Sequence, residues 1–173
     1  MKYVKVTCPD VNNGLGNRVT LWISGCKHNC KGCHNSWLHD YTKGKPVIES
    51  LNDIYKYLEK PYIKGLTVSG GDPLYQDNDS LDELYDLLLR IRKDFPDKDI
   101  WIFSGFTLKE IKDDESKLKQ KKIIDIVDYF VDGKFIENLK DTRLPFRGSS
   151  NQNIWKNNGE GVFEIVDDNI FKN

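Results

Sequence analysis

The segment SGCKHNCKGCHN, Ser24 to Asn35, sets Cys26, Cys30 and Cys33 in a C-x3-C-x2-C spacing and adds His28 and His34. Thiolate sulfur and imidazole nitrogen are ligands for zinc and iron. Three chemistries fit these residue types. Three buried, unligated thiols would need apolar surroundings, which a loop rich in glycine and lysine does not supply. A structural zinc would need a fourth ligand from His28, His34 or Cys8, and zinc knuckles usually come in well-separated pairs; elsewhere only Cys8 and His39 remain. A [4Fe–4S] cluster normally takes one thiolate per iron, so a loop that delivers three leaves one iron open to a substrate. Cys8 would close that iron. It reads instead as a small half-buried residue at the end of a short apolar run.

The elements that must position this loop are legible in outline. Four runs rich in β-branched and aromatic residues recur at the span of a βαβ unit. They are VTLWIS (Val19–Ser24), GLTVSGG (Gly65–Gly71), DIWIFSG (Asp99–Gly105) and YFVDG (Tyr129–Gly133). Between them, Leu81, Leu84, Leu88, Ile91 and Phe95 share one face of an expected helix, with Ser80 and Glu83 as its capping box. Thr107 and Glu110 repeat that signature, and Glu49–Lys60 reads as a helix stopped before Pro61. VKVTC near the N-terminus and GVFEIV (Gly161–Val166) read as edge strands. Such alternation predicts an α/β fold with a mostly parallel sheet, as an open partial (β/α) barrel or a short doubly wound sheet. The length is too short for an eight-fold barrel. With no linker or low-complexity segment, residues 1–173 read as a single domain.

Ligands in such folds gather at the carboxyl ends of the strands. The cysteine loop follows the first run, SGGDP (Ser69–Pro73) the second, Ser104–Gly105 the third and Asp132–Gly133–Lys134 the fourth. In SGGDP, Gly70 and Gly71 would let backbone approach a ligand, with the Asp72 carboxylate beside it. The Ser104 hydroxyl would reach a ligand from the third strand. Arg18, in NNGLGNR, reads either as half of a surface ion pair or as a contact to a partner or to a cofactor carboxylate. FRGSSNQ (Phe146–Gln152) reads as a loop, and Trp22 and Trp101 as core residues within strands.

Bulk composition excludes several classes. The formal net charge is −1, and the one dense basic run, KLKQKK (Lys117–Lys122), reads as a solvated helix face, which argues against direct nucleic-acid binding. Apolar runs such as VTLWI are too short to span a membrane. The N-terminus carries no apolar signal-peptide core, so a cytoplasmic location is expected, where thiols stay reduced and a cysteine cluster binds metal rather than forming disulfides.

With SGGDP following the cysteine loop, the chain resembles the radical S-adenosylmethionine superfamily and, within it, the anaerobic ribonucleoside-triphosphate reductase-activating proteins. The likeness runs through NGLGNRVTLWISGCKHNCKGCHN, LTVSGGDPL, DIWIFSGFTL, VDYFVDGKF and RGSSNQ. The cysteine spacing carries the superfamily. The small size, the GGDP turn and the DGKF…RGSSNQ tail carry the activase. The resemblance implies an open partial barrel of the radical-SAM type in which Cys26, Cys30 and Cys33 hold a [4Fe–4S] cluster whose fourth iron takes S-adenosylmethionine. It implies that Gly70, Gly71 and Asp72 meet the methionyl amino group and that Gly32, Cys33 and His34 line the adenine, with Gly32 where relatives often carry an aromatic ring. One electron, from a donor such as a flavodoxin or ferredoxin, would cleave the cofactor to methionine and a 5′-deoxyadenosyl radical. That radical would take hydrogen from a glycine of the large reductase subunit. An activase of the formate-lyase type and a non-catalytic zinc-binding interaction module stand as alternatives.

Overall fold

A computed structural model describes residues 1–159 and 161–171. An open eight-stranded sheet runs in the order β3-β1-β2-β4-β5-β6-β7-β8. Its centre is parallel: β2 (Arg18–Ile23), β4 (Gly65–Gly70), β5 (Asp99–Phe103) and β6 (Tyr129–Asp132). These are the four runs expected from sequence. Antiparallel strands flank them, β1 (Lys2–Asp10) and β3 (Lys45–Pro46) on one side, β7 (Asn153–Asn157) and β8 (Phe163–Ile165) on the other.

The VKVTC run lies within β1, but not at the edge, because the two-residue β3 pairs outside it. GVFEIV does contain the edge strand β8. β7 was not expected. Only Ile154 is fully buried in NIWKN, so a strand with so little apolar content reads as a continuation of the polar loop before it.

Alternation along the parallel strands separates two faces. Val19, Leu21, Ile23, Leu66, Val68, Ile100, Ile102 and Phe130 enter one core with α1 (Leu51–Leu58), α2 (Asn78–Asp94), α3 (Leu108–Asp113) and α4 (Leu118–Asp125). Fully burying each such side chain contributes about 1.5–3 kcal/mol. The intervening residues are of another kind: Arg18, Thr20, Thr67, Ser69 and Trp101 are buried on the second face. There Trp101 stacks on Tyr129 at 4.4 Å and packs with Phe146 and Phe171 in a separate small cluster. Trp101 is thus core, as expected. Trp22 is only half-buried, with its Nε1–H donating to Thr7 Oγ1.

Two local expectations are corrected. α2 is capped by Asp77, which accepts from the Ser80 amide; Glu83 instead pairs with the Met1 ammonium. The Ser80/Glu83 box therefore does not form, whereas the reciprocal Thr107/Glu110 box on α3 does. Arg18 is neither on the surface nor near the cysteines. It is fully buried at the amino ends of the strands, bonded to Thr67 Oγ1 at 2.7 Å and Leu66 O at 2.8 Å and paired with Asp99 Oδ1 at 2.6 Å. The Glu49–Lys60 helix is present as a 3-10 turn, Val47–Ser50, running into α1.

Candidate metal centre

Each half of the cysteine loop leans on a different part of the strand rim. Its base is tied to the second strand's turn by backbone: Gly71 N–H donates to Ile23 O and Asp72 N–H to Gly25 O, both at 2.8 Å. Gln76 Nε2 donates to the carbonyls of Ser24 and Gly25. Beyond Cys30 the loop meets the segment after β6, where Lys31 pairs with Glu137 at 3.0 Å. Between Cys26 and Cys30 the loop is anchored by His28, whose Nε2–H donates to Asp72 Oδ2 at 2.7 Å.

Asp72 is 1% exposed and its carboxylate is occupied by protein donors. Oδ1 accepts the Leu74 amide at 2.8 Å and the Tyr75 amide at 3.2 Å, Oδ2 accepts the Gly105 amide at 2.8 Å, and the Ser104 hydroxyl lies 2.9 and 3.0 Å from the two oxygens. The sequence reading offered this carboxylate and this hydroxyl to a ligand; in the structure they bond to each other. Gly70 and Gly71 likewise serve close approach between backbones. A Cβ at Gly70 would lie 2.4 Å from Ile23 O, and one at Gly71 2.5 Å from Gly25 O.

A cavity of about 140 Å³ at the rim is lined by Cys26, Cys30, Cys33, Gly70, Gly71, Asp72 and Ser104. It thus gathers most of the expected site residues from three strand ends. A second cavity of about 550 Å³ adjoins it, shares Cys33, Ser69 and Phe103, and extends to His34, Asn13 and Arg147. Gly32 lines neither; it sits at the loop surface beside Glu137 and Phe135. FRGSSNQ is fastened over the fourth strand's turn, where Gln152 Nε2 donates to Gly133 O at 2.8 Å and Asn151 Nδ2 to Lys134 O at 2.8 Å. Cys8 packs against the helix-side core and lines neither cavity.

All four cysteines are free thiols. Burial pushes the Cys26 thiol up to about 11 and raises that of Cys30 as well, and positive charge beside them would favour their thiolates. Among the described residues no three His, Cys, Asp or Glu side chains converge closely enough to hold one metal ion. Three thiols spread around one cavity wall fit a multi-iron cluster better than a single tetrahedral zinc.

Comparison with known proteins agrees with that geometry. Residues 12–155 match the family model described as a 4Fe-4S single cluster domain. The anaerobic ribonucleoside-triphosphate reductase-activating protein of Escherichia coli (strain K12) is 40% identical over 155 residues, covering 88% of this chain and 96% of that protein. The proteins of the same name from Pasteurella multocida (strain Pm70) and Enterobacteria phage T4 are 40% and 36% identical over 90% and 95% of this chain, and over 98% and 99% of their own. The chain belongs to this family. The match is to an iron–sulfur domain and not to a zinc module. Two features of the site had no sequence signal: the anchoring of His28, and the need for Gly105, where a Cβ would lie 2.4 Å from the His28 ring.

Proposed function

We propose that this protein is a radical S-adenosylmethionine activase that installs a glycyl radical on an anaerobic ribonucleoside-triphosphate reductase. The carrying observation is one cavity at parallel strand ends walled by three free cysteines and a Gly-Gly turn. Cys26, Cys30 and Cys33 would hold a [4Fe–4S] cluster. The Gly70–Asp72 turn would carry the methionine end of S-adenosylmethionine, with the Asp72 side chain and Ser104 shaping that turn from behind. Cys33 and His34 would lead toward the adenine in the larger cavity, with Gly32 shaping the loop between them. When bound, cluster and cofactor supply one-electron cleavage of the sulfonium C–S bond, giving methionine and a 5′-deoxyadenosyl radical that takes a hydrogen atom from a reductase glycine.

The chain's own task is to position, shield and leave one side open. All four α-helices enter the core on one face of the sheet, while polar and aromatic side chains occupy the other. That one-sided covering supports an open partial (β/α) barrel of the radical-SAM type over a doubly wound sheet, and residues 1–173 as a single such domain. The open side would receive the glycine loop of the large reductase subunit. A flavodoxin or ferredoxin would bring the electron. The setting would be cytoplasmic, with neither membrane nor nucleic acid as a direct partner; no helix of the described residues is long and apolar enough to cross a membrane.

Anaerobic reconstitution with iron and sulfide, then dithionite and S-adenosylmethionine, tests this. The expected product is 5′-deoxyadenosine. Cys30→Ala should abolish both cluster and cleavage, whereas Cys8→Ala should keep both. A colourless, oxygen-indifferent zinc protein that forms no nucleoside would overturn the reading.

A further inference from the structure

The cysteine loop has no regular secondary structure between Ser24 and Cys30. Its tip is nevertheless fixed by one side chain. The His28 side chain is 4% exposed although it lies in a lysine-rich surface loop. Its ring sits edge-on to Tyr75 and Phe106 with both centroids at 4.8 Å, over the bare backbone of Gly105. Its Nε2 meets Asp72, the residue whose carboxylate also gathers the amides of Leu74, Tyr75 and Gly105 and the Ser104 hydroxyl. A side chain from between two cysteines thus locks into the ends of two other strands, and the chain omits a side chain at Gly105 to admit it.

Resting on the function proposed above, we propose that His28 is a positioning residue: the His28–Asp72 clamp sets the height and tilt of the cluster loop relative to the Gly70–Asp72 turn, so that one bound S-adenosylmethionine can reach both. The three cysteines alone suffice to hold iron. They do not fix where the open iron stands relative to the turn, because the Cys26–Cys30 segment has no other side-chain bond to the β4 or β5 ends among those the structure shows. The backbone bonds at Gly25 and Cys26 hold only the base. Partners that orient metal ligands in this way are worth about ten- to a hundredfold in affinity or activity.

The test uses the full chain, reconstituted anaerobically, as wild type, His28→Ala and His28→Gln; glutamine places an N–H donor near the imidazole Nε2 position. Iron content per chain, the thermal midpoint, the change in the reduced cluster's electron paramagnetic resonance spectrum on S-adenosylmethionine titration, and KM and kcat for cofactor cleavage are measured. His28→Ala should bind iron as wild type does, while the titration midpoint and KM for S-adenosylmethionine rise about tenfold or more and kcat changes less. His28→Gln should recover most of that affinity. The inference is overturned if His28→Ala binds the cofactor as tightly as wild type, if it loses iron in proportion to cofactor binding, or if His28→Gln is no better than alanine. A wild-type spectrum indifferent to S-adenosylmethionine overturns the proposed function and this inference together, and is seen before any variant is compared.

Discussion

Asp72 concentrates more of the site's order than any other side chain, because an ionised carboxylate accepts several bonds at once and is costly to bury with fewer. Asp72→Asn would turn an NH2 group toward donors that already point inward. We expect it to lower stability by at least about 3 kcal/mol, read as a shift in urea midpoint, with loss of cofactor cleavage. Gly105→Ala acts on the same place from the other side. Its methyl group would overlap the His28 ring, so it should cost about 1–3 kcal/mol and weaken S-adenosylmethionine binding as His28→Ala does, although it removes no hydrogen bond. Unchanged cofactor affinity in Gly105→Ala would show that the ring's seat is unimportant. At this scale the sequence was legible in residue type but not in partnership. C-x3-C-x2-C suggests a metal loop because its candidate ligands are local. His28 and Asp72 are 44 positions apart, and nothing in either neighbourhood announces that they meet.

Among elements, the parallel strands were read within two residues of their ends because each couples a β-rich run to a glycine turn. The cap of α2 was misread for a physical reason. Asp77, Ser80 and Glu83 all occur at capping spacings; the helix starts one turn earlier than the Ser80/Glu83 box requires, with Asp77 as its cap, and Glu83 is left to pair with Met1, which is distant in sequence. Asp77→Ala should therefore destabilise the fold by about 1 kcal/mol, measured by thermal or urea unfolding, as should Thr107→Ala on α3. Glu83→Gln, which breaks no cap, should leave helix stability nearly unchanged. β7 was not expected, and FRGSSNQ was legible only as a loop, because that loop is held by Gln152 and Asn151 reaching back to Gly133 and Lys134 rather than by an apolar pattern.

At the scale of the whole molecule, acid should unfold the cluster-free chain through its helix caps. The Ser80 amide holds Asp77 below its ordinary 3.8, and the Thr107 amide holds Glu110 below its ordinary 4.5. Both are lowered by folding, so their contribution is complete above about pH 4.5 and is lost as pH falls through the folded values. Urea midpoints followed downward from pH 6 should decline below that point, and the decline should be shallower in the Asp77→Ala, Glu110→Gln double variant, which lacks both carboxylates. The open side of the sheet carries a further expectation. Adding the reductase should suppress cofactor cleavage that is not coupled to radical transfer, because a radical site must be sealed from solvent. A cleavage rate unchanged by the reductase would count against that closure. Finally, Cys26, Cys30 and Cys33 lie outside the helix-side core, which draws its apolar residues from the strands and α1 to α4. Folding and metal loading should therefore be separable events in this chain. Oxygen that strips the iron should leave a folded, empty cradle rather than a collapsed polypeptide, and damage of that kind is repaired by resupplying iron and sulfide, with no need to synthesise the protein again.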